Sequence, residues 1–277
     1  FGLDLELTGA ALASVVARLA MAVAAIWPIL RHHGGLCRPN LPDLRLDFRP
    51  VLGLALPAIM TQLATPLGQA YVTRAMAEYG EEAVAGMAIV ARLIPVSFAV
   101  IFALSGAVGP IIGQNFGAGN RARVRRAYLE ALLFTAMVVV GISAALFFLR
   151  SPIAALFQAE GITRDLLFLF CGPLALAWFF NGMVFVSNAA FNNLGHPFYS
   201  TLVNWGRHTI GTILPILVFA HLFGAEGVLV GQAVGGFIFG TGSAWLAMRV
   251  IARSEQSAPV EPFQPEARRL TLLHHRR

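Results

Sequence analysis

The sequence predicts an all-α, polytopic membrane protein with seven transmembrane helices. Of its 277 residues, 57% are hydrophobic and 12% are charged, whereas soluble domains carry about 25% charged residues. A helix needs about 20 mostly apolar residues to cross a bilayer. Seven stretches meet this requirement, at residues 8–30, 51–77, 83–112, 127–149, 166–191, 198–223 and 227–250. These runs are too long for membrane strands and lack their alternation.

The charged residues between these stretches fall into two alternating sets. One set is rich in arginine and comprises Arg31, Arg38, Arg45, Arg49, Arg121, Arg123, Arg125, Arg126, Arg249 and Arg253. The other is mostly acidic and comprises Asp4, Glu6, Glu78, Glu81, Glu82, Glu160, Arg164, Asp165 and Glu226. Because positive residues accumulate on the cytoplasmic side, we expect an outside N-terminus and a cytoplasmic C-terminus in a bacterial-type inner (plasma) membrane. The net charge of +6 then reflects orientation, and we expect no nucleic-acid partner.

Polar residues within the apolar stretches are the candidates for a substrate cavity. They are Gln62, Gln69, Arg92, Asn181, Asn188 and Arg207. The neutral side chains have a simpler interpretation as hydrogen-bonding links between helices, and the two arginines could extend to the headgroups instead. Asn181 and Asn188 are seven residues apart and share a helix face, which favours a cavity.

Acidic residues and reactive clusters are scarce in the apolar stretches. Among 14 acidic residues, only Glu130 falls within a predicted span, where we expect it to pair with the adjacent arginine cluster. Cys37 and Cys171 lie far apart and predict neither a disulfide nor a metal site. No grouping of His, Asp, Glu or Ser resembles a catalytic centre, so we expect no catalytic residue, no metal and no cofactor.

One segment is more specific than the rest of the chain. It reads Gly109-Pro110-Ile111-Ile112-Gly113-Gln114-Asn115-Phe116-Gly117-Ala118-Gly119, followed by Asn120-Arg121-Ala122-Arg123. Its proline, glycines and arginines suit a bent helix end and a tight cytoplasmic turn, which is a structural role. The segment resembles the P-x-x-G-Q-N-x-G-A-G-x-x-x-R signature of the MATE family of multidrug and toxic compound extrusion transporters. Leu56-Pro57, the stretch from Asn181 to Pro197 and Gly224-Ala225-Glu226-Gly227-Val228 add supporting likeness.

The resemblance covers about residues 8–251 and implies a division of the chain. MATE proteins have twelve helices in two lobes of six. Residues 1–30 would then be the last helix of the N-terminal lobe, 31–50 a cytoplasmic linker, 51–251 the C-terminal lobe and 252–277 a disordered cytoplasmic tail. We therefore expect the chain to be part of a longer protein. Its partners would be its own N-terminal lobe, membrane lipid and a small organic substrate.

The resemblance also implies a function, which is that of an antiporter rather than an enzyme. Such transporters export organic, often cationic, drugs or metabolites by alternating access, in exchange for H⁺ or Na⁺. Some members carry acidic cation-binding residues in helices seven and ten, where this sequence offers Gln62, Thr65, Gln69 and Asn181. We therefore expect the coupling-ion site to lie in the N-terminal lobe.

Two other functions stay open. A lipid-linked saccharide flippase of the same superfamily has a similar helix count and would use Arg18, Arg92 and Arg207 in a cationic cavity. A membrane enzyme or receptor is the third possibility, and the dispersed histidines disfavour it.

Overall fold

The described part of the chain, residues 6–32 and 41–256 of the computed structural model, consists of helices and short turns. No strand occurs within these two ranges, so the predicted all-α class is confirmed. The α-helices are α1 (Glu6–His32), α2 (Leu41–Ala77), α3 (Glu81–Ser97), α4 (Ala99–Gly117), α5 (Arg121–Leu156), α6 (Gly161–Leu169), α7 (Ala175–Asn193), α8 (Pro197–His208) and α9 (Ile210–Gln256). A π-helical segment, Phe170–Leu174, joins α6 to α7.

The chain divides into two compact units, Phe1–Gly53 and Leu54–Arg277. The first unit contains α1, whose side chains are exposed from Ala11 to Pro28, and the start of α2. Residues 41–50 of the predicted linker at 31–50 are helical and form the start of α2, where Pro42 lies in the first turn, a position that tolerates proline. The predicted disordered tail begins with residues 252–256 in helix α9, and residues 33–40 and 257–277 lie outside the described ranges.

Six helical segments within the described residues are long and apolar enough to cross a membrane. They are Ala11–Pro28, Val51–Ala77, Ala99–Gly117, Arg121–Leu156, Gly161–Asn193 and Pro197–Ser254. The last segment has 58 residues and includes two of the predicted spans, 198–223 and 227–250. The predicted span at 83–112 corresponds to α3 together with α4. The helix count therefore agrees with the predicted fold.

Helix α9 reverses direction at Gly224. This residue has φ +62° and ψ −138°, a conformation that glycine adopts more readily than other residues. Glycines on the far side of the reversal then face backbone on the near side. A Cβ on Gly227, Gly231 or Gly235 would overlap the backbone of Phe219, Ile216 or Gly211, respectively. The residue numbers of the glycines increase while those of their contact partners decrease, so the two halves of α9 pack antiparallel. A glycine occurs at every fourth residue of this contact.

The acidic and the arginine-rich connections lie with different core clusters. Near the acidic connections, the Tyr79 hydroxyl donates to the carbonyl of Ala220 (2.9 Å) and the Thr163 hydroxyl to that of Glu82 (2.8 Å). These two bonds tie three acidic connections together within the second unit. At the other cluster, Tyr128 and Val124 pack with Val250 and Ile251, beside the arginines of α5 and α9. The predicted pairing of Glu130 is confirmed by its ion pair with Arg126 (2.7 Å).

We predict that Gly235→Ala lowers the thermal stability of the chain in detergent. The new methyl group would overlap the Gly211 carbonyl, and overpacking of this kind costs about 1–3 kcal/mol. Gly242→Ala on the same helix is the matched control, because the space beside Gly242 is open and alanine favours a helix. Scanning fluorimetry should show a lower melting temperature for the first variant alone. Equal melting temperatures would contradict the antiparallel contact.

Candidate functional site

A cavity of about 380 Å³ lies inside the second unit, among α2, α3, α4, the α6–α7 region, α8 and α9. Its polar lining residues are Thr65, Gln69, Asn181, Asn204, Arg207, His208, Thr212 and Gln232. Its aromatic lining residues are Phe102, Phe170, Trp178 and Phe185. This volume is within the usual range for small-molecule sites, which is about 300–1,000 Å³.

Three interruptions in the helices border this cavity. Helix α3 ends at Ser97, two residues after Pro95, and the π-helical segment contains Gly172 and Pro173. Helix α8 ends at His208, and the next residue, Thr209, has φ −104° and ψ −89°. Proline removes a backbone hydrogen bond, and a π-helical turn changes the pattern of bonding. Irregular backbone at membrane depth is tolerated where it is enclosed by protein or borders a cavity. The breaks therefore coincide with the polar part of the interior.

Arg207 and Asn181 form the main polar contact in the cavity. Arg207 is half-buried in the last turn of α8, and its guanidinium donates a hydrogen bond to the side-chain oxygen of Asn181 on α7. The carbonyl of Arg207 accepts a bond from the Thr212 hydroxyl (2.8 Å) across the break at Thr209. The side chain is thus tied to α7 and its backbone to α9, which fixes the position of the charge.

His208 is positioned beside Arg207 by helix α2. A Cβ on Gly68 would lie 2.8 Å from the Cβ of His208, so the glycine permits α2 and α8 to approach closely. The His208 ring nitrogen Nε2 lies 3.3 Å from the hydroxyl of Thr65, which also lines the cavity. Two neighbouring residues at the end of α8 therefore supply an arginine and an imidazole to one site.

The predicted cavity residues separate into two groups of three. Gln69, Asn181 and Arg207 come together at the cavity, whereas Gln62, Arg92 and Asn188 do not line it. Gln62 and Arg92 are exposed. Asn188 is half-buried on α7, and its side-chain oxygen has no hydrogen-bond partner among the described residues. A shared helix face with Asn181 was thus not enough to place Asn188 at the cavity.

Sequence reasoning left several lining residues out of the candidate set. Thr65, Asn204, His208, Thr212 and Gln232 are polar, and their positions in apolar stretches were the only signal. Trp178 stacks on Phe98 at 4.6 Å and would be assigned to the core from sequence. These residues line the cavity because their helices converge there, and a local sequence pattern does not reveal that convergence.

The motif segment forms the turn between α4 and α5. Gly119 has φ +72°, and the amide of Asn120 donates to the carbonyl of Asn115 (2.9 Å), which closes the end of α4. The Asn120 side chain then accepts a bond from the amide of Arg123 (3.2 Å) and caps α5. The carbonyl of Gln114 accepts a bond from the amide of Ala118 (2.9 Å). These contacts are structural and lie outside the cavity lining.

Two motif glycines make room for α7. A Cβ on Gly109 or on Gly113 would lie 2.9 Å from a side-chain amide atom of Asn193. Asn193 in turn donates to the carbonyl of Ala189 (2.8 Å). Pro110 lies between the two glycines, and α4 continues past it to Gly117. The motif therefore sets the close contact between α4 and α7.

The described residues contain no group of three or more His, Cys, Asp or Glu side chains that could hold a metal ion. Cys171 is a buried, free cysteine in the π-helical segment, and Cys37 lies outside the described ranges.

These features define a class of protein: a polytopic helical membrane protein with a partly polar cavity bordered by interrupted helices. Comparison with known proteins makes the assignment more specific. The MatE family matches residues 57–217 of the chain, and the chain therefore belongs to this family. It is accordingly an integral membrane protein from a family of secondary transporters, not of enzymes.

Curated relatives agree with this assignment. The chain is 37% identical over 214 residues to an uncharacterized 21 kDa protein of Pseudomonas savastanoi, covering 73% of the chain and 67% of the relative. It is 27% identical to an FAD transporter of Shewanella oneidensis, covering 89% of the chain and 55% of the relative. It is 23% identical to the multidrug export protein MepA of Staphylococcus aureus, covering 83% and 51%. The chain spans about half the length of these two transporters.

Solved structures show the same fold. A mutant of the Vibrio cholerae MATE transporter VcmN superposes with a TM-score of 0.79 at 24% identity, covering 91% of this chain and 57% of that one. A MOP superfamily transporter from Pyrococcus furiosus has a TM-score of 0.79 at 17% identity, covering 90% and 57%. The predicted resemblance to the MATE family is confirmed.

We predict that Asn181→Leu lowers the melting temperature of the chain, because the partly buried guanidinium of Arg207 loses its hydrogen-bond acceptor. The loss should shrink when Arg207→Met is added, since no cation then remains to be satisfied. Contacting residues typically show coupling of about 0.5–3 kcal/mol in such cycles. Additive effects in the double variant, measured by scanning fluorimetry, would show that the two side chains act independently.

Proposed function

We propose that this chain forms the C-terminal lobe of a cation-coupled antiporter that exports organic compounds by alternating access. The observation that carries the proposal is the cavity of about 380 Å³, whose polar side chains lie within apolar membrane spans of a MatE-family fold. Polar residues at membrane depth are costly and mark substrate paths in transporters. The helix interruptions around the cavity support a binding site near the middle of the spans.

The names of the relatives support export of organic compounds without agreeing on one substrate. One is called a multidrug export protein and another an FAD transporter. The family resemblance suggests substrates that are often cationic. The cavity favours a different charge, because Arg207 lines it and no carboxylate does within the described residues. A lipid-linked saccharide flippase is not favoured, since within the second unit Arg92 is exposed and does not line the cavity with Arg207.

The coupling ion in this proposal is H⁺ or Na⁺, bound outside this lobe. Cation sites in membrane transporters commonly use carboxylates. The polar groups at the cavity are amides, hydroxyls, an imidazole and a guanidinium among the described residues. We therefore assign the ion-binding carboxylate to the N-terminal lobe. The proposed partners of this chain are that lobe, which would complete the substrate cavity, and membrane lipid. No cofactor and no nucleic acid enter the proposal.

We expect gradient-driven export only when both lobes are present. The test compares the 277-residue chain with the same chain joined to the product of its upstream reading frame, both in proteoliposomes loaded with ethidium or fluorescein. A pH or Na⁺ gradient should drive release of at least one dye from the joined form alone. The upstream sequence should encode five more spans with a carboxylate inside one of them. Equal transport by the chain alone, or upstream spans without such a carboxylate, would contradict the lobe assignment.

We place the arginine-rich connections in the cytoplasm of a bacterial-type inner membrane, with the N-terminus of the chain outside. Single cysteines test this in a background of Cys37→Ser and Cys171→Ala. A membrane-impermeant maleimide added to intact cells should label Glu81→Cys, in an acidic connection. Ala122→Cys, within the arginine cluster, should be labelled only after permeabilisation. The reverse pattern would invert the topology. Both native side chains are exposed, so neither substitution disturbs packing.

A further inference from the structure

The cavity contains a cation that is not neutralised by any described residue. Arg207 lies in the last turn of α8, and its guanidinium bonds to Asn181, which is a neutral amide. An ion pair joins Arg126 to Glu130, but it lies at an exposed site on α5, outside the cavity lining. A hydrogen bond to an amide satisfies a donor but leaves the positive charge in place. A guanidinium has five N–H donors, so most of its bonding capacity is available to a ligand.

The other polar groups at the cavity reinforce this electrostatic character. His208 follows Arg207 directly, and the remaining polar lining consists of amides and hydroxyls within the described ranges. Among the described residues of the second unit, no acidic side chain lines the cavity. Low-dielectric walls focus the field of one charge into the space that they enclose. The cavity therefore favours a negatively charged ligand over a positively charged one.

Another part of the cavity lining is aromatic. Phe102 contacts Trp178 edge to face, with 5.6 Å between ring centroids, and Phe102 and Phe185 lie 5.2 Å apart. Phe98, which does not line the cavity, stacks on the Trp178 ring. Together these rings present a stiff apolar surface on which a flat ring system can pack. An arginine on α8 and an aromatic cluster on α4 and α7 thus line the same cavity.

We propose that this cavity binds aromatic organic anions, with the acidic group of the ligand on Arg207 and its ring system against Phe102 and Trp178. This inference rests on the proposed transport function and names its substrate class. Arginine is well suited to the task, because its planar fork can hold a carboxylate or a phosphate with two parallel hydrogen bonds. Asn181 orients that fork from the adjacent helix.

The test uses two probes of the same ring system and opposite charge. The full chain in phosphatidylcholine nanodiscs is titrated with 2-naphthoate and with 2-naphthylmethylammonium by calorimetry, with no ion gradient. Naphthoate should bind at least about tenfold more tightly, because its carboxylate can pair with Arg207, whereas the ammonium has the same sign of charge and is repelled. Phosphatidylcholine is zwitterionic, so no anionic headgroup competes for the site. Tighter binding of the ammonium, or equal affinities, would overturn the proposal.

Variants assign the effect to one side chain. Arg207→Gln should lower naphthoate affinity about tenfold and remove the preference for naphthoate over the ammonium probe. Arg207→Lys keeps the positive charge and should retain most of that preference. Arg249→Gln is the matched control, since that exposed guanidinium stacks on Trp245 (3.7 Å) outside the cavity, and it should leave both affinities unchanged. Unchanged naphthoate binding by a folded Arg207→Gln protein would overturn the assignment. If that variant fails to fold, the wild-type preference and the Arg207→Lys variant decide.

Failure of this inference is distinguishable from failure of the transport proposal. Export driven by a gradient together with no anion preference in nanodiscs would refute only the substrate class. An anion preference without gradient-driven export from the joined protein would refute the antiporter function and leave a binding site.

Discussion

Every peptide group that crosses a bilayer must find its hydrogen-bond partner within the chain, and this requirement governs the whole structure. It makes each crossing segment helical, since a helix satisfies its own backbone and an open strand does not. It also restricts where a helix can be interrupted. The breaks after Pro95, at Gly172 and at Thr209 all border the cavity, whose lining is partly polar. The irregular backbone therefore occurs beside the cavity, because backbone groups that a helix break leaves unpaired can be satisfied there and not in lipid.

Close packing around this cavity depends on small residues rather than on hydrophobic attraction. Lipid tails are as apolar as leucine, so helices in a membrane associate through close contact and hydrogen bonds. The antiparallel halves of α9 meet at glycines such as Gly231 and Gly235, and α4 meets Asn193 of α7 at Gly109 and Gly113. The most distinctive motif of the sequence therefore has a packing role. It fixes the α4–α7 contact on one side of α7, while Asn181 on the same helix lines the cavity.

Arg207 is the side chain through which the fold acquires a chemical preference. Its position is determined by three elements, since α8 carries it, Asn181 of α7 accepts its hydrogen bond and Thr212 of α9 bonds to its carbonyl. Asn181 provides an acceptor without a charge, which keeps the guanidinium in place and leaves it able to bind an anion. A carboxylate at the same place would neutralise the site and favour a different ligand.

The sequence by itself determined the helical membrane class, the seven spans, the pairing of Glu130 and the family, because apolar length, charge alternation and the Gly109 to Arg123 motif are local properties. It also identified Gln69, Asn181 and Arg207 as polar residues at membrane depth. Only the tertiary structure decided that these three share a cavity while Gln62, Arg92 and Asn188 do not line it. Helix rotation and the break at Thr209 depend on contacts between distant segments, such as Gly68 with His208. Contacts between distant segments produce no periodic pattern in a single sequence. Polarity alone therefore could not distinguish a residue that lines the cavity from one that is exposed.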